Sequence, residues 1–492
     1  MSRTVGTVAA GSKPTAEAGA RMLALGGNAV DALCSAAFAA FVAEGLLCSP
    51  AGGGAALIGD VDHGLEVLDF FSVAPGRGLD LGSTTKDFHA VDVEFGPTVQ
   101  QFHVGRASAA VPGALQGVLE LHRRRGTLPL PEVVAPAVEC GREGFTLERE
   151  MAYIISILAP IIDLSPVVQS IFRPGGDDPE PGATLFNRRL ADVLETVGRE
   201  GATFFDGVVS PALVSAFGPT HGGLITAADL KAYAPAWREP LRADFGPHVV
   251  LSNPPPSSGG TLIGLGLRLL DGARMTNTGF LSPDHVVHMA ELLAAVSDAK
   301  GHGSLDEAWV ARMRRQLGST THISVLDERG EVAAMTMSNG EGSGHALDEL
   351  GIVVNNFLGE EDINPHGFHR HAAGEWMTTM MAPTAVLTGG APSLVLGSGG
   401  SNRIRSAIIQ ALVSALVFER PLRECVDAPR LHAEAGTVYF ESDGLPLESV
   451  DVLRGGTEFP TRNMFFGGVH AVARRGATIV GAADPRRGGV VA

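Results

Sequence analysis

The sequence predicts a fold of the α+β class, with helices and strands concentrated in different stretches of the chain. Segments with helical spacing dominate before residue 319, and alternating, strand-like segments appear after it. Of the 492 residues, 45% are hydrophobic and 18% are charged, which indicates an ordered globular protein. The 63 glycines and 30 prolines follow no repeating period, so they predict many turns and close backbone contacts.

Two helices are predicted near the start of the chain. The first runs from Ala16 to Ala24 and ends at the pair Gly26-Gly27, and Asn28 can cap a second helix at Ala29–Glu44. Residues 107–240 are expected to be mostly helical. The other predicted elements are a strand at Gly64–Phe71 and helices at Thr261–Leu270, His285–Lys300 and Arg405–Phe418.

The glycine run Gly52-Gly53-Gly54 leads into a predicted strand. Such a run could cradle a phosphate, but it lacks the Lys-Ser/Thr ending of a P-loop. Close packing of the backbone is therefore the favoured interpretation.

Charge and composition exclude several classes of partner. The net charge of −17 argues against nucleic acid and anionic membranes, which need clustered Lys and Arg. An apolar stretch from Ala29 to Leu47 carries Asp31 and Glu44, which disfavours a membrane span. Met1–Pro14 lacks a basic start followed by an apolar run, so no signal peptide is predicted. The expectation is a cytoplasmic protein.

No cofactor or metal is predicted. The cysteines show no metal-ligand spacing, and buried free thiols are favoured over a disulfide framework in a chain of this size. They are Cys34, Cys48, Cys140 and Cys425.

The most informative stretch is Gly318–Asp327, a small-residue break followed by paired hydroxyls and an alternating apolar strand. If the backbone is cut before Thr320, that residue gains an α-amino group beside its own hydroxyl. A Thr hydroxyl is a poor nucleophile alone, and an adjacent amine can act as its general base. The pattern therefore raises the hypothesis of a self-processing, amide-cleaving enzyme.

A predicted hairpin places a second hydroxyl near Thr320. The runs His322–Asp327 and Glu331–Met337 are strand-like, and Glu328-Arg329-Gly330 has the composition of a short loop. If Leu326 pairs with Val332, Thr320 faces Ser338, and opposed residues have β-carbons about 5 Å apart. Asn339 follows at the strand end. The alternative is an ordinary hairpin whose hydroxyls simply line a strand.

A glycine turn lies further along, in Gly397-Ser398-Gly399-Gly400, before the predicted helix. Backbone N–H groups in such a turn attract negative charge and suit an oxyanion hole. A plain turn between strand and helix fits the residues equally well.

Together these segments resemble the γ-glutamyltransferase family of N-terminal-nucleophile hydrolases. The likeness extends over nearly the whole chain in consistent order. The motifs that carry it are Gly26–Ala32, Gly52–Gly54, Val111–Gly113, Pro254–Gly260, Thr320–His322, Gly351–Asn356, Gly399-Gly400, Ala428–Arg430 and Ala483–Gly488.

The resemblance implies a four-layer αββα sandwich made as one precursor. Thr320 would attack the carbonyl of Ser319, leaving segments 1–319 and 320–492 associated as one compact unit. Thr320 would then be the nucleophile and its new amine the base. The resemblance assigns supporting roles to Ser338 and Asn339 and an oxyanion hole to the pair Gly399-Gly400.

The substrate pocket departs from the family pattern. Typical members carry an Arg for the glutamyl α-carboxylate where Asp80 stands here, with Arg77 nearby. After the Asn pair they have Gln or Glu and then an acid, which correspond to Phe357 and Glu360. Two serines that hold the carboxylate appear as Thr378 and Thr379. Losing a bidentate partner removes a strong charge-assisted bond, so an unmodified γ-glutamyl group is not expected to be the best substrate.

Other side chains near these motifs leave alternatives open. His366, His369 and His371 could bind zinc or could belong to a mobile polar loop that covers the site. Trp376, like Phe357, could line the pocket or the core. His322 could assist catalysis, although a structural role is favoured.

Three functions follow, with small-molecule amides as substrates and water or an amine as acceptor. The leading one is a γ-glutamyltransferase-like amidohydrolase or transferase acting on amides such as glutathione. The second is an acylase that cleaves a glutaryl or similar side chain, as in cephalosporin-type substrates. The third is an unprocessed, catalytically silent binding protein.

Overall fold

The computed structural model describes residues 4–95, 98–270, 272–301, 320–364 and 366–492. Two antiparallel sheets lie face to face, and helices cover the outer face of each sheet. This is the four-layer αββα sandwich that the resemblance implies, and the predicted fold class is confirmed.

The described strands are numbered in chain order. They are β1 Gly6–Ala10, β2 Gly53–Asp60, β3 Gly64–Phe70, β4 His89–Phe95, β5 Thr98–Val104, β6 Phe145–Thr146, β7 Thr184–Leu185, β8 Ala236–Arg238, β9 Leu241–Phe245, β10 His248–Ser252, β11 Thr320–Asp327, β12 Val332–Ser338, β13 Ala346–Leu347, β14 Ile352–Val353, β15 Thr384–Thr388, β16 Ala391–Gly399, β17 Leu431–Glu434, β18 Thr437–Glu441, β19 Thr457–Phe459, β20 Gly468–Arg475, β21 Thr478–Ala483 and β22 Val490–Val491.

The described α-helices are numbered in the same way. They are α1 Lys13–Ala24, α2 Ala29–Ala43, α3 Ala114–Arg125, α4 Leu130–Glu143, α5 Arg149–Ile157, α6 Ala159–Ile162, α7 Pro166–Phe172, α8 Arg188–Glu200, α9 Ala202–Phe204, α10 Ser210–Phe217, α11 Ala227–Ala232, α12 Ser258–Leu269, α13 Gly272–Thr276, α14 Pro283–Gly301, α15 Arg403–Leu416, α16 Leu422–Asp427 and α17 Leu447–Val452. Short 3-10 turns include Phe357–Gly359, Glu361–Ile363 and Pro485–Arg487.

Both sheets combine strands from the two sides of residue 320. The seven-stranded sheet has the order β22-β1-β11-β12-β2-β3-β8, and the six-stranded sheet has the order β21-β20-β16-β15-β10-β9. Strands β1–β10 all precede residue 319, among them the predicted strand at Gly64–Phe71, which is found as β3. The first part of the chain thus holds more strands than its helical spacing indicated.

Alternation along β11 assigns its side chains to two cores. Leu326 packs between the two sheets with residues such as Val395 and Val472. Ile323 and Val325 point the other way, toward the helices that cover the seven-stranded sheet. Because side chains alternate along a strand, even-numbered residues of β11 face the second sheet. Thr320 therefore opens toward the space between the sheets.

Several predicted elements are found close to their expected bounds. Asn28 caps α2 through a capping box in which its side chain accepts from the backbone N–H of Asp31. Residues 107–240 are mostly helical, and the later helices α12, α14 and α15 also appear. None of the described helices combines the length and apolar character that crossing a lipid bilayer requires. The four cysteines are free thiols, with Cys140 half-buried and the others buried.

The glycine run packs backbone against backbone, as the favoured interpretation predicted. A β-carbon at Gly52 would lie 2.3 Å from the carbonyl oxygen of Ser338, and one at Gly54 would lie 2.6 Å from that of Thr336. Real β-carbons do not approach oxygen atoms so closely, so these positions require glycine. Gly53 pairs with Ser338 across β2 and β12.

Candidate active site

Thr320 and Ser338 are directly opposed on neighbouring strands. The register of β11 and β12 runs from Leu326 opposite Val332 to Thr320 opposite Ser338, which confirms the predicted pairing. Both hydroxyl-bearing residues are buried. The Ser338 hydroxyl oxygen accepts a hydrogen bond of 3.0 Å from the backbone N–H of Gly340, which fixes its orientation.

Gly399 brings the second sheet against the start of β11. A β-carbon at position 399 would lie 2.1 Å from the carbonyl oxygen of Thr320, so only glycine permits this approach. Gly400 follows with φ +114°, a conformation that L side chains rarely adopt. The glycine turn before α15 thus lies beside Thr320.

Asn339 extends the cluster one residue beyond Ser338. It is fully buried, and its Oδ1 atom accepts a hydrogen bond of 3.1 Å from the Ser49 hydroxyl. Its backbone N–H donates to the carbonyl oxygen of Leu47 over 3.0 Å. Within the described residues its Nδ2 group has no hydrogen-bond partner, so a donor remains near the reactive pair.

Arg487 is a residue near the glycine turn whose role the sequence did not predict. β-Carbons at Gly399 and Gly400 would lie 3.6 and 3.4 Å from its guanidinium nitrogens. Burial, with Arg403 and Arg430 nearby, lowers the pKa of Arg487 to about 10, so it stays cationic at neutral pH. The motif Ala483–Gly488 was recognised as part of the family pattern, but nothing in its spacing shows which sheet it faces.

A network of buried ion pairs holds the chain segment next to Arg487. Asp484 bonds Arg430 at 2.5 Å and Arg486 at 3.2 Å, and Arg486 also bonds Glu441. Burial opposes the ionisation of Asp484, but Arg430 and Arg486 outweigh it and hold the pKa of Asp484 far below its usual range. The network therefore fixes the chain segment that carries Arg487.

Glu360 lies beyond the end of β12, beside Gly340. A β-carbon at Gly340 would come within 2.5 Å of the Glu360 Oε1 atom. Burial, together with the charges of Glu341 and Asp362, raises the pKa of Glu360 well above its usual value. A cationic group placed beside it would offset that desolvation and restore its charge.

Next to this acid, Phe357 belongs to an apolar wall that is fully buried and is part of the core. Its ring packs against Phe71 with 4.6 Å between centroids, and only 1% of its surface is exposed. A β-carbon at Gly53, the partner of Ser338, would lie 3.0 Å from the Phe71 ring. Phe71 thus links the apolar wall to the reactive strand pair.

Thr378 and Thr379 lie on a segment held by the proline-rich turn. The Thr378 hydroxyl donates to the carbonyl oxygen of Pro256 over 2.9 Å. The Thr379 hydroxyl oxygen accepts from the backbone N–H of Met381 over 3.2 Å, and its proton has no acceptor among the described residues. A hydroxyl has one proton, so only Thr379 keeps a donor for a substrate carboxylate.

Arg77 and Asp80, which stand near the position of the family arginine, are both exposed. The Arg77 side chain is 44% exposed, 3.9 Å from Asp229, and runs alongside Gly374. Asp80 is exposed and accepts hydrogen bonds from the Gly82 N–H and the Ser83 hydroxyl. The structure brings neither residue into contact with the Thr320 pair.

His322 fills a structural position between the sheets. Its two ring nitrogens form hydrogen bonds with the hydroxyls of Thr336, at 2.8 Å, and Ser324, at 2.9 Å. A β-carbon at Gly397 would lie 2.2 Å from the ring. Burial, with His470 nearby, lowers the pKa of His322 well below its usual value, which keeps the ring neutral.

The histidine-rich loop has separate partners for its rings. His369 bonds the carbonyl oxygen of Ala107 over 2.9 Å, and His371 lies 3.4 Å from Glu375. His366 is exposed. Across the described ranges, no three His, Cys, Asp or Glu side chains are grouped to bind a metal ion, so the zinc alternative gains no support.

Ser319, the predicted residue before the cleaved bond, lies outside the described residues. The structure therefore describes the site from Thr320 onward.

The four-layer sandwich is the fold of the N-terminal-nucleophile hydrolases. The chain belongs to the γ-glutamyltranspeptidase family of enzymes, because the family model described as Gamma-glutamyltranspeptidase matches residues 15–314 and 295–492.

Relatives within this family carry two kinds of name. The Acylase ACY 1 proenzyme of Pseudomonas sp. (strain SE83) is 31% identical, over 96% of this chain and 90% of its own length. The glutathione hydrolase proenzyme of Bacillus subtilis (strain 168) is 25% identical, over 98% of this chain and 90% of its own. The chain is thus a γ-glutamyltransferase-like hydrolase or acylase.

A solved structure agrees on the fold. The crystal structure of cephalosporin acylase from Bacillus halodurans superposes with a TM-score of 0.81, covering 100% of this chain and 96% of the acylase. At 24% identity, this likeness supports the architecture alone.

Proposed function

We propose that the protein is a self-processing amidohydrolase or acyltransferase whose nucleophile is Thr320. The observation that carries the proposal is the meeting of Thr320, Ser338 and the Gly399 backbone at one point between the sheets. A nucleophile, a hydroxyl to orient it and N–H groups for the oxyanion are the parts that acyl transfer needs.

The chain would first cleave itself. The Thr320 hydroxyl attacks the carbonyl carbon of Ser319, its proton passes to the departing nitrogen, and the amide becomes an ester. This shift frees the Thr320 amine, and hydrolysis of the ester by water then frees the Thr320 hydroxyl and leaves a carboxylate on Ser319. Because β1–β3 and β8 share a sheet with β11 and β12, segments 1–319 and 320–492 would stay associated. The names of the relatives, both proenzymes, support this step.

The freed amine would then serve as the base for substrate. An unperturbed α-amino group has a pKa of about 7.7–8.0, which suits proton transfer near neutral pH. Thr320 forms an ester with the acyl group of the substrate, and the amine part of the substrate leaves. Water or an amine acceptor then cleaves the ester.

The residues near the nucleophile favour an acyl group that lacks the α-carboxylate of a γ-glutamyl substrate. Phe357 and Phe71 form an apolar wall. An exposed Asp80 stands where an arginine is typical. The Thr378 hydroxyl already donates its proton to the carbonyl oxygen of Pro256. A glutaryl-type acylase activity fits these contacts, and the acylase name of a 31% identical relative supports it.

A γ-glutamyl amide such as glutathione is the second candidate, favoured by Glu360. A substrate ammonium beside Glu360 would offset the burial of that carboxyl group and the nearby charges of Glu341 and Asp362.

Two measurements test the reaction and the acyl specificity separately. Intact mass spectrometry should show chains 1–319 and 320–492 for the wild type and one uncut chain for Thr320→Ala. Active wild-type protein that stays uncut would refute self-processing, and an uncut, inactive protein would support the silent binding alternative.

The wild type should hydrolyse glutaryl-p-nitroanilide with a higher kcat/KM than γ-glutamyl-p-nitroanilide. A higher kcat/KM for the γ-glutamyl compound would support the second candidate, provided that Glu360→Gln raises the KM for that compound and leaves the KM for the glutaryl compound unchanged.

A further inference from the structure

Glu44 is a buried carboxylate that the proposed reaction does not use directly. It follows the last residue of α2 and has 0% of its surface exposed. Its Oε1 atom accepts hydrogen bonds from the hydroxyls of Ser12, at 2.8 Å, and Thr15, at 2.5 Å. Its Oε2 atom accepts a short hydrogen bond from the Thr321 hydroxyl. Three hydroxyl groups thus converge on one carboxylate directly behind the proposed nucleophile.

This position is costly for an acid. Burial raises the pKa of Glu44, and the hydroxyls of Thr15, Thr321 and Ser12 offset only part of that effect. A helix C-terminus also carries partial negative charge, which disfavours a carboxylate. Gly11 leaves room for the arrangement, because a β-carbon there would lie 2.6 Å from Glu44 Oε2. An apolar residue would fill the site at lower cost if packing were its purpose.

The start of β11 lacks support on one of its two edges. Pairing with β1 runs from Gly6 opposite Asp327 to Ala9 opposite Ser324 and goes no further. Residues 320–323 are therefore paired through β12 alone among the described strands. Thr321 points away from the second sheet, and its bond to Glu44 supplies a contact on the helix side.

The turn that Glu44 begins also holds the end of β12. Leu47 accepts from the backbone N–H of Asn339, and Ser49 donates to the Asn339 side chain. The segment Glu44–Ser49 therefore contacts the two residues that adjoin the reactive pair, Thr321 next to Thr320 and Asn339 next to Ser338.

We propose that Glu44 is a positioning residue, which holds Thr321 and thereby sets the place of the Thr320 hydroxyl relative to Ser338 and Gly399. The inference rests on the proposed function, since it concerns the same nucleophile. A displacement of a reacting group by about 1 Å can cost about 100-fold in rate, so loss of this contact should lower kcat more than it changes KM.

The decisive variants are Glu44→Gln, Thr321→Val and Thr321→Ser, assayed for self-cleavage rate and for kcat and KM on a p-nitroanilide substrate. Glu44→Gln and Thr321→Val should lower both rates about 10- to 100-fold with KM within about twofold. Thr321→Ser keeps the hydroxyl and should restore most of both rates.

Glu331→Gln is the matched control. Glu331 is a partly buried carboxylate that bonds the backbone N–H of Ala29 over 3.0 Å, at the opposite end of α2 and of the same hairpin. Its variant should keep wild-type processing and kcat.

Three results would each overturn the role of Glu44. They are wild-type rates in folded Thr321→Val, equal losses in Thr321→Ser and Thr321→Val, and an equal loss in Glu331→Gln. Should Glu44→Gln not fold, the pair of Thr321 variants decides. Failure of the proposed function looks different, because wild-type activity would then survive in Thr320→Ala.

Discussion

Thr320 and Ser338 face each other across β11 and β12, on the side that is turned toward the second sheet. Opposed residues in an antiparallel pair have β-carbons about 5 Å apart, so the two hydroxyls are neighbours by strand geometry alone. The Ser338 hydroxyl oxygen also accepts a hydrogen bond from the N–H of Gly340.

Ser338→Ala should slow both self-cleavage and substrate turnover about tenfold. A net hydrogen bond contributes about 0.5–1.5 kcal/mol, and about 1.4 kcal/mol is tenfold in rate. The uncut fraction over time and kcat on a p-nitroanilide substrate measure the two effects. Ser338→Thr keeps the hydroxyl and is the control, and equal rates for the Ala and Thr variants would show that this hydroxyl takes no part.

Gly399→Ala should abolish turnover and hinder self-cleavage. The added methyl group would lie 2.1 Å from the Thr320 carbonyl oxygen, so the glycine turn must move away from the nucleophile. Gly272→Ala is the control, because no described atom beyond its chain neighbours lies within 4 Å of the added carbon. Processing by mass spectrometry and kcat decide, with circular dichroism to verify folding. A fully active Gly399→Ala enzyme would exclude an oxyanion role for this turn.

The reactive pair was predictable because hairpin register is local. The short loop Glu328-Arg329-Gly330 fixes which residues oppose each other, and one pairing determines all the others. Gly330 adopts φ +85° in the turn, as its composition suggested. The helices near the start were predictable for a similar reason, since their caps and spacing lie within a few neighbouring residues.

Contacts between distant segments were not predictable in this way. Glu44 lies 277 residues from Thr321 in the chain. The sequence shows it only as a charged residue within an apolar stretch. From the sequence, Arg487 would be expected at the surface as one of a pair of arginines. In the structure only 7% of its surface is exposed, and it lies beside the glycine turn. Strands such as β8, of three residues, carry too few positions to show an alternating pattern.

Asp484→Asn should destabilise the fold by about 3–5 kcal/mol, because it leaves Arg430 buried without its ion-pair partner and Arg486 with Glu441 alone. The free energy of unfolding from urea titration at pH 7 measures the loss. Asp451→Asn breaks an exposed pair with Arg454 and should cost less than about 1 kcal/mol. Equal losses in the two variants would contradict the importance assigned to the buried network.

Glu331 should make the protein less stable as pH rises toward neutrality. Burial, with the charges of Asp327, Asp60 and Asp31, raises the pKa of Glu331 from 4.5 to about 7. The folded state then holds a proton that the unfolded state has lost, so this contribution to stability is full below pH 4.5 and disappears between about pH 4.5 and 7. Glu331→Gln removes the charge and should raise the melting temperature at pH 8 relative to wild type, with little change at pH 4.5. Melting curves of both proteins at the two pH values measure the difference, and a larger gain at pH 4.5 than at pH 8 would reverse the sign argued here.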